Sequence, residues 1–168
     1  SVSGSGHQSY FHTTMRGGRP ENYHVIREFG AIGNGISLAI GVAAARKDGK
    51  TVLFEGDGGF LMNAQEIETA VRHGINVVTL VMNNGCWGSE KAYQKHFYGG
   101  RYVGADIGNC RYDKYAELFG AKGYYVEHPD QIGDALRAAF ACGKPAIVEI
   151  PIDPDEFPVP ATQARKQG

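Results

Sequence analysis

The sequence predicts an α/β protein, a parallel β-sheet with helices on both faces. Three observations carry that reading. Short β-rich apolar runs alternate with helical periodicities in the order β-α-β-α-β, joined by glycine-bearing turns. Ile75 to Met82 is almost entirely apolar and rich in β-branched residues, the pattern of a strand buried on both faces. Thr51 to Gly88 reads as strand, turn, helix, strand, turn, with oxygen-bearing side chains at both turns. Two parallel strands joined by a helix bring their carboxyl ends to the same edge of the sheet.

The elements follow in order. Ser1 to Gly6 is polar and reads as flexible, and His7 to Met15 as a short helix. Arg16 to Tyr23 is a loop by composition, and His24 to Phe29 reads as a strand. Gly30-Ala31-Ile32-Gly33 opens a helix rich in small residues (Ala39, Gly41, Ala43, Ala44, Ala45), suited to close packing on a sheet or a neighbouring subunit. After a solvated turn at Arg46 to Lys50, Thr51 to Glu55 is a strand that ends at Gly56-Asp57-Gly58-Gly59. Phe60 to His73 predicts one helix with Phe60, Ala64, Ile67 and Val71 on one face; Glu66 and Glu68 lie off that face and read as surface charges or contacts with a partner chain. Ile75 to Met82 ends at Asn83-Asn84-Gly85. Ser89 to Tyr98 predicts a helix carrying Tyr93, Phe97 and Tyr98 towards a pocket or an interface, and Gly99 to Tyr102 a loop. Tyr112 to Phe119 is a helix, Tyr124 to Val126 a strand, Asp130 to Cys142 an amphipathic helix and Pro145 to Ile150 a final buried strand. A domain over 1–152 is therefore expected, with 153–168, dotted with prolines, as an extended tail.

A chain of 168 residues suits one domain with a real core, or two small ones, and 42% hydrophobic with 21% charged residues is ordinary for a soluble globular protein. A net charge of −1 argues against nucleic acid or a membrane surface as partner. No apolar run is long enough for a membrane span, and no signal peptide is expected from SVSGSG. Cys86, Cys110 and Cys142 are odd in number and widely spaced, which fits the reducing cytoplasm better than a disulfide framework.

The chemistry lies at the two turns. Asp57 offers a hard anionic oxygen, Asn84 a neutral amide oxygen, and loop carbonyls near Cys86 a third ligand. Mg²⁺ prefers such oxygens in octahedral array, and usually takes few from protein and the rest from phosphate and water. The glycines at 56, 58 and 59 let backbone N–H groups approach a phosphate, and the helix that follows points its positive end there. A GDG alone is often only a tight turn, and an NNG only a loop signal. The two together, bracketing a helix and a buried strand, predict a magnesium-bridged diphosphate site.

GDG at 56–58 followed by NN at 83–84 resembles the thiamine diphosphate motif, and nearly the whole chain, from Gly6 to about Ile152, resembles the C-terminal cofactor domain of acetolactate-synthase-like and benzoylformate-decarboxylase-like enzymes. The resemblance implies Asp57, Asn84 and the Cys86 backbone carbonyl on the metal, Gly58 and Gly59 on the phosphates, and Trp87 and Gly88 curled around the diphosphate. It implies that the Gly30 carbonyl accepts a hydrogen bond from the aminopyrimidine and that Ile32 is the apolar wedge bending the cofactor. It also implies that His7 and Gln8, in the Ser5-Gly6-His7-Gln8 segment, lie near the cofactor; a solvent-exposed loop is the other reading of that pair. Trp87 itself reads as a cofactor contact or as core, with core the preferred reading. The implied chemistry is cleavage or formation of a carbon–carbon bond beside the carbonyl of a small 2-oxo acid. The carboxylate that activates the cofactor in such enzymes belongs to a pyrimidine-binding domain, usually of a neighbouring subunit, and no residue here is a candidate for it. A homo- or hetero-oligomer is therefore expected. The alternatives are a non-catalytic phosphate-binding or assembly module, or the separate β subunit of a two-chain thiamine-dependent decarboxylase. A nucleotide-binding Rossmann domain is disfavoured, because no GxGxxG opens the first helix.

Overall fold

The computed structural model describes residues 2–3, 18–25, 28–46 and 49–156. Six strands form one all-parallel sheet in the order β2-β1-β3-β4-β6-β5: β1 (Val2–Ser3), β2 (His24–Val25), β3 (Thr51–Gly56), β4 (Val77–Asn83), β5 (Lys122–Tyr125) and β6 (Ala146–Pro151). The helices are α1 (Gly35–Ala45), α2 (Asp57–Met62), α3 (Glu66–Arg72), α4 (Gly88–Phe97), α5 (Tyr112–Leu118) and α6 (Ile132–Ala141).

Alternation along the central strands builds a core on each face, because successive side chains of a strand point to opposite sides. Leu53, Val77, Val81 and Ile147 pack with Ile36 and Ala39 of α1, Ile67 of α3, and Tyr112 and Ala116 of α5. Val78, Leu80, Val148 and Ile150 pack on the other side with Ala139 of α6. The sheet is thus covered on both faces, and β4 is buried along its whole length, as its sequence predicts. Among the described residues no helix is long and apolar enough to cross a membrane.

Five local expectations need correction. Val2–Ser3 is a strand inserted between β2 and β3, although Ser1 to Gly6 reads as flexible: two residues of backbone pairing leave no side-chain pattern to detect. The strand expected over His24 to Phe29 stops at Val25 and gives way to a 3-10 turn at Glu28–Gly30, where Phe29 takes φ 59° and Gly30 φ 62°. The single helix expected from Phe60 to His73 is two helices, interrupted at Asn63, whose backbone (φ −136°, ψ 29°) leaves the helical region. The penultimate strand begins at Lys122, two residues before its apolar portion, because it is an edge strand whose side chains are mostly not buried. The described start of the tail turns rather than extends: Asp155 donates its backbone N–H to Asp153 Oδ1 and pairs with Lys91 at 3.4 Å. The helix expected at His7 to Met15, and residues 157–168, lie outside the described residues.

Candidate functional site

Strand register sets the site. β3 and β4 run parallel with Gly56 opposite Met82, so Asp57-Gly58-Gly59, the first turn of α2, and Asn83-Asn84-Gly85, at the end of β4, emerge side by side at the carboxyl edge of the sheet. Asp57 bridges them. Its Oδ1 accepts the Gly58 N–H at 3.0 Å and its Oδ2 accepts the Gly85 N–H at 2.7 Å. The side chain is only 2% exposed. Burial pushes its carboxyl up to about 6, against the lowering effect of backbone N–H groups from Gly58, Gly85, Asp57 itself and Asn84.

Asn84 is half-buried, and its Oδ1 accepts the Cys86 N–H at 3.2 Å, which fixes the amide with its oxygen turned to the loop. Cys86 is buried, and desolvation raises its thiol pKa, so the thiol is poorly suited to act as a nucleophile. The loop is braced from outside: Trp87 donates its N–H to the Ala105 carbonyl at 2.7 Å, and Ile107 donates to the Gly85 carbonyl at 3.0 Å. Trp87 is half-buried with its ring over Gly58; a Cβ at that glycine would sit 2.6 Å from Trp87 Cζ3. Gly58 is therefore required by a close approach from within the chain, and its N–H is engaged by Asp57. Gly59 is buried beside it, and Gly88 opens α4.

The Gly30-Ile32 segment is held beside the same edge. Asn63, at the break between α2 and α3, donates Nδ2 to the Gly33 carbonyl at 2.7 Å. Gly33 has φ +88°, and a Cβ there would lie 2.6 Å from Met62 Cβ. This packing presents Gly30 and Ile32 outward, Ile32 at 41% exposure and Phe29 fully exposed. The structure thus brings together Asp57, Gly58, Gly59, Asn84, Cys86, Trp87 and Gly88 at one edge, with the Gly30–Ile32 segment tied beside it through Gly33, while His7 and Gln8 lie outside the described residues.

The donor set suits a hard divalent cation. Asp57 is a buried carboxylate without an ion-pair partner among the described residues, and a buried charge needs a counter-charge. No three His, Cys, Asp or Glu side chains gather into a metal cage among the described residues, so a cation at Asp57 would draw its other ligands from Asn84, loop carbonyls, water and a bound phosphate.

Three buried groups around this edge escape a reading of motifs. Glu55 is 0% exposed, and burial pushes its carboxyl up to about 8; the Gly35 backbone N–H lowers it somewhat but falls short of hydrogen-bond geometry, and neither carboxyl oxygen has another partner among the described residues. Tyr112 is buried, its hydroxyl without a partner among the described residues, and its pKa is raised by burial and by Asp57. Glu149, on β6, accepts from Asn83 Nδ2 at 2.8 Å and from the Asp113 N–H at 3.1 Å. The one available signal was a charged residue within an apolar run: Glu55 in Thr51 to Gly56, and Glu149 in Ala146 to Ile150.

Residues 4–150 match the family model described as "Thiamine pyrophosphate enzyme, C-terminal TPP binding domain", and the chain belongs to that family. It is 38% identical over 126 residues to an acetolactate synthase large subunit of Mycobacterium tuberculosis, covering 75% of this chain and 23% of that protein. It is 39% identical over 131 residues to a 2-hydroxyacyl-CoA lyase of Arabidopsis thaliana, again covering 75% and 23%. The chain thus spans less than a quarter of the length of these relatives. Among solved structures, a thiamine diphosphate-dependent 4-hydroxybenzoylformate decarboxylase of Rhodococcus jostii RHA1 superposes with a TM-score of 0.81 at 22% identity, covering 91% of this chain and 29% of that one; it shares the fold.

Proposed function

We propose that this chain is the diphosphate-binding domain of an enzyme that decarboxylates or joins 2-oxo acids, and that it binds thiamine diphosphate through Mg²⁺. The observation that carries the reading is Asp57: a buried carboxylate at the carboxyl edge of β3, within 2.7 Å of the Gly85 N–H and beside Asn84. Asp57 and Asn84 hold the cation by side-chain oxygens and Cys86 by its carbonyl. Gly59, with Gly58 where its N–H exchanges Asp57 for phosphate, lets the backbone approach the diphosphate, and Trp87 and Gly88 close the loop around it. The Gly30 carbonyl and Ile32 hold the pyrimidine end, His7 and Gln8 join them, and the half-exposed Ile32 offers the apolar surface that role needs. When bound, the cofactor supplies the nucleophilic centre for bond-making beside the carbonyl. These residues bind, orient and shield it.

Catalysis needs a pyrimidine-binding domain or subunit, and the working unit is an oligomer. The chain's coverage of 23% of its relatives' length supports this. The three free cysteines suit a cytoplasmic setting. Calorimetry of the chain with its pyrimidine-domain partner tests the reading. Thiamine diphosphate binding that requires Mg²⁺ and is lost in Asp57→Ala is expected. Unchanged affinity in that variant removes the metal role. Turnover of pyruvate should appear only when the partner is added; binding without turnover in the assembled pair would favour a non-catalytic module.

A further inference from the structure

Asn83 is the first residue of the NN pair, and its side chain is far better anchored than that of a loop residue. It is 6% exposed and sits at the carboxyl end of β4. Its Nδ2 donates to Glu149 Oε1 at 2.8 Å, with longer contacts to the Cys110 carbonyl at 3.3 Å and Asn109 Oδ1 at 3.4 Å. Its Oδ1 accepts the Gly85 N–H at 3.2 Å, the same N–H that reaches Asp57 Oδ2 at 2.7 Å. Its backbone carbonyl accepts the Ile152 N–H at 2.9 Å.

Glu149 closes the arrangement from the neighbouring strand. It is 1% exposed in an otherwise apolar run, and it lies opposite Val81 in the β4–β6 register. Its second oxygen accepts the Asp113 N–H at 3.1 Å. Arg111 grips the Asp113 carboxylate with two 2.8 Å bonds and comes within 3.9 Å of Glu149 while lying over the Tyr125 ring. An apolar residue at 149 would avoid the desolvation cost of a buried carboxylate, so the carboxylate at this place calls for a role.

That role follows from the two ends of a carboxamide. Burial and the neighbouring Asp113 raise the Glu149 carboxyl, but its Oε1, which faces Asn83, serves as an acceptor, so it admits the NH₂ end of Asn83 and rejects the oxygen end. With Nδ2 held at Glu149, Oδ1 must face the Gly85 N–H. We infer that Glu149 is a positioning residue for the cation-binding turn: it fixes the orientation of the Asn83 amide, which orients the Gly85 N–H at Asp57 and so sets the turn that carries Asn84 and Cys86. This rests on the reading of Asp57, Asn84 and Cys86 as the cation ligands. Partners one shell out from a metal typically change its affinity by about 10- to 100-fold when removed.

The test separates the positioning claim from the cofactor claim. In the full chain without ligand, Glu149→Leu should raise the hydrogen-exchange rate of the Gly85 amide at least about tenfold while amides of Val81 and Leu53 keep their protection. In the same folded variant, Mg²⁺ affinity in the presence of thiamine diphosphate and the pyrimidine-domain partner should fall about tenfold or more. Glu149→Gln keeps one acceptor oxygen and should be intermediate in both readouts. Should Glu149→Leu fail to fold, Glu149→Gln carries the test alone: faster Gly85 exchange supports the inference, and wild-type exchange overturns it. A folded Glu149→Leu with wild-type Gly85 exchange and wild-type Mg²⁺ affinity also overturns it. If Gly85 exchange changes but the wild-type chain shows no Mg²⁺-dependent binding, the cofactor reading fails and the Glu149–Asn83–Gly85 coupling stands.

Discussion

Glu55 is the side chain whose burial is least compensated. Its carboxyl, raised from 4.5 to about 8 by desolvation, stays protonated in the folded chain at neutral pH. The unfolded chain releases that proton near 4.5, so between there and about 8 the folded state binds more protons and stability falls as pH rises, levelling off above about 8. At pH 7 the cost is at most roughly 3 kcal/mol. Glu55→Gln removes the titration: its urea midpoint should match wild type near pH 4.5 and exceed it increasingly towards pH 8. A difference that does not change with pH would contradict this. Gly58 is the second residue whose identity is forced, here by the Trp87 ring. Trp87 is the only tryptophan of the chain, so tryptophan emission reports the surroundings of that ring. Gly58→Ala should shift Trp87 emission and cost about 1–3 kcal/mol by overpacking; an unchanged spectrum would show that the turn absorbs the methyl group elsewhere.

Among the elements, the tightest joint is α5 on β5. A Cβ at Gly123 would lie 2.0 Å from the Asp113 carbonyl oxygen, a backbone atom that cannot swing away. Gly133, in α6, would meet only the mobile end of Arg137 at 3.4 Å. Gly123→Ala should therefore destabilise the chain by about 1–3 kcal/mol or more, whereas Gly133→Ala should leave it at or slightly above wild type. Urea unfolding of the two variants checks the contrast, and equal effects would refute it. Elements set by burial were readable from the sequence for a physical reason: burial on both faces imposes a continuous apolar run, as in Ile75 to Met82, and burial of one helix face imposes a period, as in Ile132, Leu136 and Ala139. The break between α2 and α3 was not readable. Phe60, Ala64 and Ile67 keep the helical spacing and stay buried across it, while its cause is a bond from Asn63 to Gly33, remote in sequence. β1 was invisible because two residues held by backbone pairing need no particular side chains.

At the scale of the whole molecule, the parallel sheet turns two distant sequence motifs into one place. The juxtaposition of Asp57 with the Asn84 loop was legible, because strand, helix and parallel strand permit one handed connection and hence one shared edge. The supports were not: Glu149, Asn83, Asn109 and Asp113 meet only when β4, β6 and α5 are assembled, and no spacing in the chain announces the meeting. The exposed Phe29, Ile32, Leu61 and Met62 lie on the segments beside this edge. The cation site is tested most directly by paramagnetic Mn²⁺, substituted for Mg²⁺ with thiamine diphosphate, while amide resonances of the assembled protein are recorded. Broadening should be strongest at residues around 57–59 and 83–88, fall off with distance from them, and vanish in Asp57→Ala. Broadening centred elsewhere, or persisting unchanged in that variant, would contradict the assignment.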